Sequence, residues 1–240
     1  MTDGNQTAGD DVDHKELDRL LQQAFDAASE LYKRRGFQRR IGFGKRPALV
    51  SVDLANAWTR PGNPFTCDQD KMDNEIIPAM QKLLEAFRIN GSPVVHVTTA
   101  YEVTDRDAPF TDMGLWHCKI PVEAVNLKDK ALWAIDSRIA PIDGEYTLLK
   151  KRASAFHGTE LAGILRANQI DTILVTGVTA CACVRETICD GLAEGFRTIA
   201  VKEAIGDRVP GAVAWNLFDI DAKFGDVCSV KDCVKYIEEL

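Results

Sequence analysis

Apolar and polar positions follow two rhythms along this chain, and the changes from one to the other outline its elements. Between 15 and 34 the apolar residues recur every three or four positions, at Leu17, Leu20, Leu21, Phe25, Ala28, Leu31 and Tyr32. That spacing predicts an amphipathic helix. Lying ahead of the first strand, such a helix is expected to pack on the back of the domain or on a second subunit. The run at 48–53, Ala-Leu-Val-Ser-Val-Asp, is almost continuously apolar, as in a strand covered on both faces. Similar runs at 93–98, 146–150, 173–176 and 197–202 predict further strands, with a short one near Val227. Helical spacing intervenes at about 72–89, closed by Asn90-Gly91, and again at 159–168, 181–194, 212–217 and 231–239.

The remaining segments read differently. Residues 1–13 are polar and acidic and are expected to be disordered. Residues 36–47 form a basic connector punctuated by glycine. Residues 100–145 read as long and irregular, with a short element near 115–120, and long ordered loops tend to carry function. The alternation of strand and helix predicts an α/β fold with three layers, α/β/α, around a mainly parallel sheet. One domain is expected over 41–240, preceded at 1–40 by a tail and the amphipathic helix, which offers an oligomer contact.

Composition narrows the function classes. The chain has 240 residues, 45% hydrophobic and 27% charged, as in a soluble globular protein. Its net charge of −7 argues against a nucleic-acid partner, because phosphate binding needs a basic face. No apolar run approaches the roughly 18 residues of a membrane span, and the N-terminus lacks the regions of a signal peptide. Seven cysteines without an export signal point to a reducing, cytoplasmic setting. They form no paired C-x-x-C motifs, which argues against structural zinc.

The chemistry concentrates at strand ends. Cys183 falls in the first turn of a helix that follows the fourth strand. Free backbone N–H groups and the helix dipole there favour a thiolate, and the same N–H groups suit an oxyanion. The ordinary alternative is a buried cysteine packing as a small hydrophobe. In open α/β sheets, sites form beyond the carboxyl ends of the strands near a topological switch point. Asp53 closes the first strand and Lys150 the third, so one rule places an acid, a cation and a nucleophile on the same edge. Taken singly, Asp53 is equally a loop cap, and Lys150-Lys-Arg152 equally a solvated basic run.

Asp53, Lys150 within Lys-Lys-Arg-Ala-Ser-Ala-Phe156 and Cys183 within Gly-Val-Thr-Ala-Cys-Ala-Cys-Val184 resemble the isochorismatase-like cysteine hydrolases. Further stretches carry the resemblance from about residue 15 to the C-terminus. They include Arg39-Arg-Ile-Gly-Phe-Gly, Asp53-Leu-Ala-Asn-Ala-Trp-Thr-Arg-Pro-Gly62, Asp112-Met-Gly-Leu-Trp116, Ile205-Gly-Asp-Arg-Val-Pro210 and the long segment 215–226. The last is the most specific and points to the members that hydrolyse N-carbamoylsarcosine. Maleamate, another small acid with a terminal amide, is the alternative substrate, and a silent binding protein on the same fold the third reading.

The resemblance implies a role for each residue. Asp53 takes the proton of Cys183, Lys150 holds positive charge beside both, and the thiolate attacks the terminal carbamoyl carbon. Backbone N–H groups of Thr179 and Cys183 form the oxyanion hole, next to a cis Val178–Thr179 bond. Arg208 holds the substrate carboxylate, although by itself it is equally an arginine paired with Asp207. Asn56, Trp58 and Trp116 are weaker candidates for the pocket wall. Nicotinamidases of this superfamily bind a metal through Asp-x-His and a further His. His14, His96, His117 and His157 do not follow that spacing after Asp53, so no metal and no other cofactor is expected. Cys181 is expected to face away from the pocket. Related enzymes assemble, so a homo-oligomer, a tetramer, is expected.

Overall fold

The computed structural model of the chain describes residues 14–103, 112–209 and 211–240. The tail at 1–13, residues 104–111 of the irregular segment and Pro210 lie outside the described residues, and the expected disorder of the tail falls among them. In chain order the elements are α1 (His14–Arg34), β1 (Pro47–Val52), α2 (Asn56–Thr59), α3 (Gln69–Lys71), a π turn (Met72–Ile76), α4 (Ile77–Asn90) and β2 (Val94–Thr99). The long segment holds three 3₁₀ turns (Gly114–Cys118, Val122–Ala124 and Ser137–Ile139) and α5 (Lys130–Trp133). Then follow β3 (Tyr146–Lys150), α6 (Leu161–Ala167), β4 (Thr172–Val178), a π turn (Ala180–Val184), α7 (Arg185–Ala193), β5 (Arg197–Gly206), α8 (Ala212–Lys223), β6 (Asp226–Cys228) and α9 (Val230–Glu238).

The strands form one sheet in the order β3-β2-β1-β4-β5-β6, with every pair parallel. The chain winds outward from β1 to β3, then returns to the other flank of β1 and winds outward again. The switch point therefore lies between β1 and β4, where ligand crevices form in such sheets. Alternation along each strand feeds two cores. Leu49, Leu174 and Ile199 join Leu83, Leu84, Phe87 and Ile237 of α4 and α9 on one face. Val50, Val52, Val175 and Ala200 join Leu161, Leu165, Ile188 and Ile220 of α6, α7 and α8 on the other. Each such Leu or Ile contributes about 1.5–3 kcal/mol by leaving water. The amphipathic α1 packs on α8, where Phe25 stacks on Phe218 at 4.7 Å. None of the described helices is long and apolar enough to cross a membrane.

Several boundaries differ from the sequence expectation, each for a local reason. The fourth strand was expected to stop at Gly177 but continues through it to Val178. Gly177 takes φ of 107°, and a Cβ there would sit 1.9 Å from the carbonyl oxygen of Val52. Glycine here lets β4 pass close to β1, with which it stays in regular register through Val52↔Gly177, while the β4–β5 register shifts beside it. The fifth strand continues past Lys202 to Gly206, because Ile205 and Gly206 pair with the extended end of β4. Lys202 and Glu203 interrupt its apolar run at positions that are not buried. The helices expected at 72–89 and 181–194 each open with a π turn, and α8 runs on to Lys223.

A buried acidic knot secures the chain just after β1. Asp136 is fully buried and accepts from Thr59 Oγ1 at 2.7 Å, Arg60 Nη2 at 3.0 Å and Arg138 Nη2 at 2.8 Å. Its backbone N–H donates to Leu54 O, and Ala55 bridges to Ile135, so 54–60 is clamped beside Asp53. Burial alone raises the Asp136 carboxyl, but the Arg138 guanidinium and N–H and the Thr59 hydroxyl outweigh it and hold the pKa at about 2. A depressed folded-state pKa adds stability that is present above the unfolded value near 4 and is lost as pH falls toward 2. Asp136→Asn is therefore expected to be less stable by about 2 kcal/mol at neutral pH. In urea titrations, the gap to wild type should narrow between pH 4 and pH 2; a gap constant with pH would refute the linkage.

Candidate active site

Three strand ends and one helix start converge at the switch point. Asp53 follows β1 in the left-handed region, with φ of 53°, which aspartate tolerates better than most residues. Its N–H still donates to Val97 O at 2.8 Å, so the turn begins while the residue is held by the ladder. Lys150 closes β3, two strands and about 10 Å from β1. Only a long side chain spans that gap, and lysine carries its charge on a four-carbon stem. Its ammonium lies 2.8 Å from Asp53 Oδ2 and donates to Thr99 Oγ1 at 2.6 Å, Arg152 O at 3.2 Å and Cys183 Sγ at 3.3 Å. Thr99, in register with Lys150, donates in turn to Asp53 Oδ1 at 2.8 Å. The Asp53 and Lys150 side chains are fully buried, and Cys183 is 8% exposed.

The partners of Asp53 are unequal. Oδ1 takes the Thr99 hydroxyl, whereas Oδ2 faces the Lys150 ammonium at 2.8 Å. A carboxylate oxygen has two lone pairs, so Oδ2 can still take a proton beside that contact. The surroundings of Cys183 pull against the expected thiolate. Burial pushes the Cys183 thiol up to about 12; Lys150 pulls against that, and the Asp53 carboxylate adds to it. Burial also lowers the Lys150 pKa, but the charges of Asp53 and Cys183 outweigh it and the net direction is upward. Burial, the largest of these effects, acts in the opposite direction to the helix start that the sequence emphasised.

The loop carrying Cys183 is fastened from both sides. The Val178–Thr179 bond is cis, and Val184 N–H donates back to Thr179 O at 3.1 Å. Thr187 Oγ1 donates to Cys183 O at 2.6 Å and accepts from Ala155 N–H at 2.9 Å, joining the Cys183 turn to the segment after Lys150. On the other side, Asp207 accepts from Cys181 N–H at 3.1 Å and from Arg208 N–H at 2.8 Å. Cys181 is exposed whereas Cys183 is buried, so the two thiols have different surroundings.

Asp53, Lys150 and Cys183 therefore meet, and the other sequence candidates lie around them. Arg208 follows β5; its Nη2 donates to Phe65 O at 3.0 Å, and its Nη1 is 4.0 Å from Asp207 Oδ1. The Asn56 amide is engaged by Ala131 O at 2.9 Å. Trp58 is 3% exposed and packs on Phe65, with ring centroids 5.3 Å apart. Trp116 packs against a separate small cluster of Tyr101, Met113 and Val122. The basic run at 150–152 is not a solvated face. Lys151 pairs with Asp112 at 2.7 Å, and Arg152 donates to Asp112 O at 2.7 Å, so the two hold the 112–118 segment beside Lys150. Thr99 is the residue that sequence reading missed. The sequence expectation ended the second strand one residue short, at Thr98; the structure extends it to Thr99, on the edge that carries Asp53 and Lys150.

Comparison with known proteins adds an independent line. Residues 47–232 match the family model described as the isochorismatase domain. The chain is 52% identical over 225 residues to an N-carbamoylsarcosine amidase of Arthrobacter sp., covering 93% of this chain and 83% of that protein. It is 36% identical over 204 residues to a maleamate amidohydrolase of Pseudomonas putida, covering 84% of this chain and 91% of that one. The crystal structure of N-carbamoylsarcosine amidase from Thermoplasma acidophilum superimposes with a TM-score of 0.63 at 28% identity, covering 78% of this chain and 97% of that one.

Proposed function

Because this chain belongs to the isochorismatase family and is an amide-bond hydrolase, we propose that it converts N-carbamoylsarcosine to sarcosine, carbon dioxide and ammonia through a covalent intermediate on Cys183. The observation that carries the mechanism is a buried cluster in which one ammonium touches both the Asp53 carboxylate and the Cys183 thiol. As substrate enters, the thiol proton passes to Oδ2 and the sulfur attacks the terminal carbamoyl carbon. Negative charge moves from Asp53 to the reacting centre, and Lys150 is already within reach of both positions. The tetrahedral oxyanion falls to the N–H groups of Thr179 and Cys183. Asp53 returns the proton to the departing nitrogen and ammonia leaves. A water then gives Asp53 a proton and attacks the thioacyl carbon. The S–C bond breaks as Asp53 passes that proton to the Cys183 sulfur, and the released carbamic acid loses carbon dioxide to give sarcosine.

The substrate carboxylate is assigned to Arg208, whose loop is tied through Asp207 to the Cys183 turn. Asn56, Trp58 and Trp116 are assigned to the surrounding wall. The identity to the Arthrobacter amidase favours N-carbamoylsarcosine, and with it a place in creatinine breakdown. The identity to the maleamate amidohydrolase makes maleamate the second reading. Ammonia release from the two compounds in parallel separates them: faster release from N-carbamoylsarcosine is expected, and turnover of maleamate alone would reverse the assignment. All seven cysteines are free, which supports action in the reducing cytoplasm. The exposed Leu20 and Leu31 on α1 support assembly with further copies as a homotetramer, and a monomer mass in light scattering would overturn it.

A further inference from the structure

We propose that Tyr101 is a substrate-contacting residue whose hydroxyl hydrogen-bonds the nitrogen of the terminal amide. The inference rests on the hydrolase reading above and extends it to a residue outside the Asp53–Lys150–Cys183 cluster. Tyr101 Oη, among the described residues, is a buried side-chain polar atom without a hydrogen-bond partner, and its residue follows the strand end beside Asp53. Tyr101 is 1% exposed. An O–H removed from water without an acceptor is costly, so a buried phenol normally finds a partner.

The placement says what that partner is. Tyr101 lies two residues beyond Thr99 in extended backbone, held by a bridge to Asn126 and by hydrogen bonds to Val125 and Leu127. Residues i and i+2 of an extended segment share a face, and Thr99 uses that face to meet Asp53 and Lys150. The ring is packed against Met113 and Val122, and the Lys151 ammonium stands 5.9 Å from its centroid. Burial raises the phenol's pKa, and Lys150, Cys183 and Asp53 are the next charges it feels, so the hydroxyl keeps its proton and lies within electrostatic reach of all three.

Strand order turns this into an orientation. Along the edge come Lys150 on β3, Thr99 and Tyr101 at the end of β2, Asp53 after β1, Cys183 after β4 and Arg208 after β5. A substrate with its carboxylate at Arg208 and its carbonyl carbon at Cys183 points its terminal –NH₂ toward the β2 side. There the amide N–H donates to Tyr101 Oη. When Asp53 protonates that nitrogen, its N–H groups become stronger donors and the bond to Tyr101 Oη tightens. The gain comes only as ammonia departs, so it acts on the rate.

Tyr101→Phe removes the hydroxyl alone and separates the two possible roles. The melting temperature is expected to hold or rise, since an unpartnered buried hydroxyl is lost. With wild type active on N-carbamoylsarcosine or maleamate, kcat/KM for the same amide is expected to fall about 10- to 100-fold, chiefly in kcat. Unchanged kcat in the variant overturns the proposal, and so does a fall in melting temperature of more than about 3 °C, which means the hydroxyl has a structural partner. A wild type silent on both amides marks failure of the substrate reading instead, and the thermal comparison still reads the hydroxyl.

Discussion

Replacing Cys183 with alanine should remove ammonia release, by at least about 10⁴-fold, while the protein stays folded. The two halves of this expectation have separate causes. Activity is lost because the sulfur is the only group in the cluster able to form the covalent intermediate, and neither Asp53 nor Lys150 replaces it. The fold is retained because the residue contributes little beyond a small buried side chain. Asp53 and Lys150 remain paired at 2.8 Å, and Thr99 still bridges them. Burial disfavours the charged form of the thiol, so its removal is expected to leave no charge without a partner. Intact-mass measurement during turnover provides the complementary readout: wild type should show a transient acyl adduct and the alanine variant none. Retained turnover in the variant would sink the mechanism, and a loss accompanied by unfolding would show that the turn at 180–184 depends on this side chain for its shape.

Lys150→Met should be the most destabilising change at the site and also inactivating. Methionine fills similar volume but leaves the Asp53 carboxylate fully buried without its ion pair. Breaking such a pair from one side costs about 3–5 kcal/mol. It also strips the thiolate and the returning proton of the ammonium that touches both positions. The argument predicts a specific non-additivity. Asp53→Asn combined with Lys150→Met removes both charges, so the double variant should recover much of the stability lost by Lys150→Met and none of the activity. Urea unfolding of the four proteins reads the cycle. A double variant as unstable as the sum of the two single changes would show that the buried pair is not coupled, against the 2.8 Å contact.

These two expectations depend unequally on what could be read along the chain. The strand ends at Asp53 and Lys150 and the helix start at Cys183 were legible from local pattern, because apolar runs and their terminators are local properties. Arg208 was legible only through resemblance, since nothing in its neighbourhood distinguishes a carboxylate ligand from a partner of Asp207. Thr99 went unread although it ends a strand on the same edge, because threonine in a strand is ordinary and its importance comes from Lys150, its cross-strand neighbour. The extension of β4 through Gly177 was misread for the opposite reason. Glycine punctuates most chains, and only the approach of Val52 O shows that here it lets the strand continue close against β1.

The sequence by itself determined the alternation of strand and helix, the parallel sheet that follows from it, and the edge on which an acid, a cation and a thiol would lie. Those outcomes depend on periodicity and on the handedness of crossovers, which act between neighbours in the chain. The tertiary structure alone decided which oxygen of Asp53 faces Lys150, that burial pushes the Cys183 thiol up, that Lys151 and Arg152 hold the 112–118 segment, and that a phenol is buried without a partner at the site. Each of these follows from distance and desolvation among groups far apart in the chain. Coulomb energy and hydration respond to that spatial arrangement, which local pattern does not encode.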